Sequence, residues 1–427
     1  MLKGKLLPPL LGLLFLAGCQ TIPPNEEAPP VELAKPQKPL AERWRQISTD
    51  PGVLEDLLSR LGGKALRNQV RGGVAAATGP RVALARLNRA KAHAREARAI
   101  VSAQLGYRRA GGVALNTGWE QDLWKRLKGV AGEPGSVVVE ISDADLLGAH
   151  RSLAAQISKA WFYARGVRLL RQRAEEIHEL QLQLLEREQT STQLELGNRA
   201  DLMAIRKELA RADTRAKQLK RAEILAHKAL VALTGNSRPS ALLQKAAVSP
   251  VPGDLTLALL MGRPDVNRGA NRLVEVEVIG NELDRLLPDV VLTAKGGRIT
   301  RALSDWTELK PASVAKRLNL ESLDRDQAEA IEEFSELLLS ALVEVRAMLK
   351  DGRQLQGQRS NLKAKEQEAR RIVNRLRALY SARRADLTEI IEAQQVLAEI
   401  AGKLAYVQNR VFGQRLDTYL AFGGAGF

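Results

Sequence analysis

Cysteine is nearly missing from this chain of 427 residues: Cys19 is the single one. Without a second thiol the fold cannot rest on a disulfide framework or on a cysteine-built metal site. Aromatic residues make up only 4%, while Leu, Ala, Arg, Glu and Gln recur throughout, a bias that points to long helices and coiled coils. The four histidines, His93, His150, His178 and His227, stand singly and read as surface residues on helices. No HExxH pair, GxSxG elbow, GxxxxGK[ST] loop or GxGxxG turn occurs, so the expectation is no catalytic constellation, no metal and no cofactor.

Long apolar runs are also scarce. The one from Leu6 to Ala17, broken by Gly12 and the Pro8-Pro9 pair, is too short for a stable membrane span. With Lys3 and Lys5 before it and a small residue after it, it reads as a signal peptide over residues 1–18. Leu16-Ala17-Gly18-Cys19 resembles the bacterial lipobox, which implies that Cys19 becomes the acylated first residue. Gln20 in place of Asp implies sorting to the outer membrane. Six prolines between Pro23 and Pro39 make the following segment an extended tether, and residues 19–45 are taken as one unit.

Acidic charge is in deficit. The formal net charge is +16, and +14 once Lys3 and Lys5 leave with the signal. Such a balance can attract anionic lipid, acidic partners or nucleic acid, or can be a set of solvated helix faces, since Arg and Lys alternate with Glu. No nucleic-acid module is visible.

Periodicity is the strongest positive signal. Leu202, Ile205, Leu209, Ala212, Ala216, Leu219, Glu223, Ala226, Leu230 and Leu233 step by three and four. So do Leu387, Ile390, Gln394, Leu397, Ala401, Leu404, Gln408 and Val411. Such stepping keeps one stripe against a neighbouring helix. Arg199-Ala200-Asp201-Leu202 recurs 185 residues later as Arg384-Ala385-Asp386-Leu387, the mark of an internal duplication. Upstream arms over about 146–196 and 324–382 carry their own stripes, Val167, Leu170, Ala174, Ile177 and Leu184 in one, Ala369, Val373, Leu376 and Tyr380 in the other. Each repeat, 46–235 and 236–427, is thus predicted to be a long helical hairpin turning at Gly197-Asn198 or Arg383-Arg384. Gly235-Asn236 stops a helix and Arg263-Pro264-Asp265 starts one, with Pro288 ending it. Strands are expected at Asp289–Ala294 and Ser313–Leu320, and in the first repeat at Gly106–Tyr107 and Val113–Trp119.

Four stretches in order resemble the TolC-like outer-membrane efflux family, in its lipoprotein branch. Trp119-Glu120-Gln121-Asp122-Leu123-Trp124-Lys125-Arg126-Leu127 is similar to that family's W-E-x-D-L-F-G-R. Leu259-Leu260-Met261-Gly262-Arg263-Pro264-Asp265-Val266 is similar to L-L-x-R-P-D-V. Thr388 to Gln394 and Leu420 to Gly424 are similar to its D-V-L-D-A-Q and closing A-L-G-G. The resemblance implies a mainly α fold of duplicated hairpins with strand pairs joining a trimeric β-barrel. It implies an outer-membrane duct for passive export, most of its mass in the periplasm, working with a periplasmic adaptor and an inner-membrane pump.

Site residues follow from the same likeness. Glu389 and Glu392, three apart and so on one helix face, match acidic positions at the periplasmic mouth and would form a pore gate; as bare residues they are equally two solvated glutamates. Leu196, Gly197, Asn198, Arg199 and Asp201 at one turn, with Arg383, Arg384 and Asp386 at the other, match adaptor-docking tips, or else are only turns. The strand stretches, about 103–123 and 289–320, are short for two spans each at roughly 9–11 residues per span, and carry Lys295, Arg298, Arg301, Lys316 and Arg317. They keep open a second reading, a lipid-anchored periplasmic scaffold without a working barrel.

Overall fold

The structure, a computed structural model, describes residues 38–50, 52, 54–106, 111–130, 141–194, 198–235, 254–279, 291–293, 316 and 322–424. The chain divides into two units, Met1–Pro39 and Leu40–Phe427, and the architecture below is that of the second. Cys19, residues 20–37 of the tether, Leu196, Gly197 and almost all of Ser313–Leu320 lie outside the described residues; the end of the expected tether, Leu40 to Arg45, is not extended but helical.

Ten α-helices are found among the described residues: α1 Leu40–Thr49, α2 Glu55–Arg60, α3 Lys64–Ala75, α4 Pro80–Leu105, α5 Gly118–Val130, α6 Asp143–Gln193, α7 Arg199–Thr234, α8 Pro264–Glu275, α9 Arg325–Ser381 and α10 Leu387–Ala421. Strands β1 (Asp254–Thr256) and β2 (Val291–Thr293) pair antiparallel with Leu255 opposite Leu292. The two predicted hairpins are α6–α7 and α9–α10. Their first arms, 51 and 57 residues long, extend about 75–85 Å at 1.5 Å per residue.

The helix ends follow from local chemistry. Ser142 and Asp145 form a reciprocal capping box at α6, with amide bonds of 3.1 Å each way, and Asp324 and Gln327 do the same at α9. Pro264 occupies the first turn of α8, where its missing N–H costs nothing. Gly235 closes α7 at φ +69°, as its sequence position predicts. At the second hairpin turn the left-handed residue is Arg383, φ +58°. Its amide bonds to Tyr380 O at 2.9 Å and that of Arg384 to Leu379 O at 2.8 Å, the double bond of a Schellman ending made without glycine.

Side by side, the long helices run in the order α4, α7, α6, α10, α9, with α8 on the first half of α9. The predicted α7 stripe is half-buried from Leu202 to Leu209 and mostly buried from Ala212 to Leu233. α4 meets it with Ala83, Leu87, Ala90, Ala94, Ala97 and Val101, all fully buried. α6 and α10 approach closely at two glycines: a Cβ at Gly166 would stand 3.1 Å from Asn409 Cβ, and one at Gly402 3.2 Å from Arg173 Cβ. Burial thins toward the turns. A large core surrounds α1–α7 and the end of α10, a second joins α8 to α9, and toward the tips the third cluster is small, Leu180, Leu184 and Ile391, with Ala369, Val373, Ile390 and Ala398 also buried there.

Several expectations are corrected. Val113–Thr117 is irregular, and Gly118–Trp119 opens α5 rather than ending a strand. Between Leu105 and Gly118 only residues 106–117 remain. α8 ends at Glu275, well before Pro288, where Val276 caps it and Glu277 turns left-handed at φ +57°. The repeated Arg-Ala-Asp-Leu does not start both helices alike: it lies inside α7, capped by Asn198, but straddles the start of α10, capped by Asp386. Tyr380, assigned to the α9 stripe, is 47% exposed.

Holding a non-glycine residue left-handed costs about 1–2 kcal/mol. Arg383→Gly is therefore expected to stabilise the second turn by about 1 kcal/mol, read as slower amide exchange over residues 376–384; unchanged or faster exchange would contradict this account of the turn.

Candidate functional site

Two regions carry the chemistry: the hairpin ends and a buried polar belt at the base. At the first turn Asn198 Oδ1 accepts the Ala200 amide at 2.9 Å, and the Asn198 amide donates to Glu188 Oε1 at 3.2 Å. Arg199 and Asp201 are exposed beside it. At the second turn the Asp386 amide donates to Glu389 Oε2 at 3.4 Å. Arg187 of α6 donates to Thr388 Oγ1 at 3.0 Å and pairs with Asp386. Asp386 thus fastens the second tip to the first hairpin. Arg383 and Arg384 are exposed, as are Glu389 and Glu392, which share the opening turns of α10. The surface at these ends is also apolar: Leu194 is 64% exposed and Met203 72%. Met203 lies off the periodic stripe of α7 and carries no seam signal; what marks it in the sequence is an apolar residue off the seam beside a turn.

At the base, the residues of the two most family-like stretches come together. Trp119 Nε1 donates to Leu420 O at 2.8 Å, and Trp124 Nε1 to Ser152 Oγ at 3.0 Å. Glu120, fully buried, accepts from Thr117 (3.0 Å), Ser152 (2.7 Å) and Gln156 (3.0 Å). Asp145, also fully buried, takes both Arg126 nitrogens at 3.1 and 2.7 Å and Arg268 at 2.6 Å. Burial works to raise the Asp145 carboxyl, but the Arg126 bonds and charge, Arg268 and the Ser142 amide outweigh it and hold it below the usual carboxylate range. Arg263, 2% exposed, pairs with Asp265 at 2.8 Å and Glu344 at 2.9 Å. Gly423, φ +79°, packs so closely on it that a Cβ there would lie 2.2 Å from the Arg263 amide nitrogen. Lys159 Nζ bonds Asp417 at 2.5 Å and Ala114 O at 2.6 Å, on the wall of a cleft of about 740 Å³ that Tyr163, Tyr406 and Arg410 also line.

The histidines correct the reading of them as surface residues. His93, His178 and His227 are half-buried, and His150 is fully buried, stacked on Trp44 with ring centroids 3.8 Å apart. Its Nδ1–H donates to Leu146 O at 2.7 Å, which leaves Nε2 to accept from Ser48 Oγ at 2.6 Å. No group of three or more potential metal ligands occurs among the described residues, and no described helix is long and apolar enough to cross a membrane.

A duplicated helical-hairpin wall, with buried ion pairs at its base and exposed residues at its hairpin ends, defines the class. No family model matches the chain, and no curated protein does. Solved structures do match. CusC, described for conformational changes accompanying folding and transmembrane channel formation, is 16% identical with a TM-score of 0.62, over 85% of this chain and 96% of that one. A membrane protein from Pseudomonas aeruginosa is 15% identical with a TM-score of 0.52, over 86% and 95%. The outer-membrane channel OprN is 17% identical with a TM-score of 0.50, over 90% and 92%. The chain has the TolC-like fold of the outer-membrane channels.

Burial depresses the His150 imidazole from its usual range to about 4, the Leu146 bond opposing only in part. Between pH 6.5 and 4 the unfolded chain therefore binds a proton the folded chain refuses, so stability is full above 6.5 and falls as pH drops, by about 3 kcal/mol in all. We expect amide protection of α1 to weaken by about 2–3 kcal/mol more in the native chain than in His150→Gln between pH 7 and 4.5; equal losses in both would refute the assignment.

Proposed function

We propose that the chain is an outer-membrane channel subunit, a passive export duct of a tripartite efflux or type I secretion-like system. Acylated Cys19 holds it to outer-membrane lipid, and most of its mass stands in the periplasm. Its ends, from Leu196 to Asp201 and from Arg383 to Asp386, dock a periplasmic adaptor that links it to an inner-membrane pump. The observation that carries this is the helix order: α4 and α9 stand at the two sides of the row, and among the described residues the tip halves of the hairpins bury few apolar side chains, with a cluster of three the largest near the turns. Arms of about 75–85 Å cannot bury their apolar faces so, and three copies around one axis supply the missing neighbours. The coverage of 96% of CusC supports the same reading. In the trimer six carboxylates, Glu389 and Glu392 from each copy, converge at the periplasmic mouth and draw cations.

The test is the acylated protein in mild detergent, expected as a threefold particle that conducts in planar bilayers. Glu389→Gln with Glu392→Gln is expected to cut cation selectivity severalfold while leaving the particle intact. A monomer without conductance would sink the proposal.

One observation favours the alternative, a helical lipoprotein scaffold lacking a working barrel. Residues 106–117 separate α4 from α5, and two spanning strands need about 18–22 residues between them. A single cysteine at Ala110 or Ser304, in a chain whose own thiol is acylated, separates the readings: an impermeant maleimide applied to whole cells is expected to label both sites in a channel and neither in a scaffold.

A further inference from the structure

Formal charge is segregated among the helices. α6 sets seven cations against seven acids and α10 three against four, whereas α7 carries nine against four. In α9 the division runs along the helix. Asp326 to Glu344 holds six acids and no cation, and Arg346 to Arg377 holds ten cations against three acids.

Within the basic part, Lys363, Arg370 and Arg377 follow at intervals of seven, and Arg359 stands four residues before Lys363. At about 100° per residue the four fall within a sector of about 40° and span about 27 Å of helix. The stripe flanks the seam of Leu355, Ala369 and Val373 that faces inward. Lys363, Arg370 and Arg377 are exposed, and Arg359 is half-buried with its guanidinium on Gln356 at 3.3 Å. Among the described residues only Arg370 of the four has an ion-pair partner, Glu366 at 2.5 Å. In this part of the chain α10 is the helix against which α9 packs.

We propose that this stripe is a docking ladder for a helix of another polypeptide that carries Asp or Glu at seven-residue spacing. Beside an apolar seam, charges at that spacing occupy the positions by which coiled-coil helices choose partners. A strict seven-residue repeat drifts by about 20° per heptad on a straight helix, a path that a supercoiling helix follows and a flexible polyanion has no reason to prefer. A second copy's α7 does not fit: Glu208, Asp213 and Glu223, three of its four acids, already pair with Arg211, Lys217 and Arg171 of their own chain. The inference rests on the docking part of the proposed function and does not require the duct to conduct.

The full acylated chain in detergent is titrated with a fluorescein-labelled synthetic helical hairpin bearing glutamate at every seventh flank position, and with one of equal composition whose glutamates are permuted. At physiological ionic strength the spaced hairpin is expected to bind about tenfold tighter than the permuted one, as two or three charge-assisted contacts would give. Lys363→Gln, Arg370→Gln and Arg377→Gln together erase that difference with helicity and particle symmetry unchanged. The corresponding triple glutamate variant loses the glutamate hairpin and regains a lysine-for-glutamate hairpin. Equal binding of both hairpins overturns the proposal. So does preferential binding of dextran sulfate or phosphatidylglycerol vesicles through the same three residues, or a change in anion conductance of the triple glutamine variant without hairpin binding. Conductance of the same preparation separates the two failures: a silent particle that still distinguishes the hairpins removes the channel and leaves the ladder.

Discussion

The contact between α6 and α10 is the constraint on which the rest of the molecule depends. It is the seam through which one hairpin repeat holds the other, and in a row of helices no second layer can substitute for it along the distal halves. Gly166 and Gly402 let the two backbones approach at reciprocal points, each glycine lying under large side chains of the opposite helix. Arg187 with Asp386 and Thr388 continues the same seam to the tip. Packing between small residues is short-ranged, so a Cβ at either glycine would oblige Asn409 or Arg173 on the opposite helix to give by a few tenths of an ångström.

The base meets a different demand. There the chain reverses between elements, and charged groups are taken out of water to fix the angles. Asp145 joins α5, α6 and α8 through two guanidinium groups, Arg263 joins α8 to α9 and to the end of α10, and Lys159 with Asp417 joins α6 to α10. Buried ion pairs add little net stability over apolar contacts, yet losing one partner costs about 3–5 kcal/mol because the other charge is stranded. Their value here is geometric: they set the direction in which arms many turns long leave the base. The buried, neutral His150 belongs to the same logic, because it seats α1 on α6 without adding a charge.

Much of the fold was legible because it is local. The three-and-four stepping of α7, the Gly235 stop and the Pro264 start depend on neighbours within a few positions, and the structure follows them. Failures occurred where distant partners decide. Val113–Trp119 has strand-like composition, yet Trp119 and Glu120 find their partners on α6 and α10 at the start of a helix, and Val113–Thr117 before it is irregular. His150 looked like a surface residue because its shelter, Trp44, is about a hundred positions away. On α10, Ile391, Gly402 and Tyr406 meet α6 although none belongs to the three-and-four stripe read from the sequence; a helix packed on both α6 and α9 buries more than one stripe can describe. The alanine stepping of α4 was present in the sequence and needed only the same count applied upstream.

The site was legible in a narrower sense. Arg383, Arg384 and both glutamates lie at the end of the second hairpin, but the roles of individual side chains depend on who answers them. Asp386 is held by Arg187 and acts within the fold, whereas Arg383, Arg384 and Met203 point to no partner of their own chain in the contacts described. The basic excess meets an electrostatic limit as well. Exposed charges repel by about 1 kcal/mol at 4 Å in water, and screening acts over about 8 Å, while successive rungs on α9 lie about 10.5 Å apart. The basic sides of α7 and α9 therefore do not forbid a closed ring built on apolar contacts. The same screening limits how much a matching row of acids can add to affinity, so a charge ladder of this spacing selects the register and identity of a partner that apolar residues hold in place.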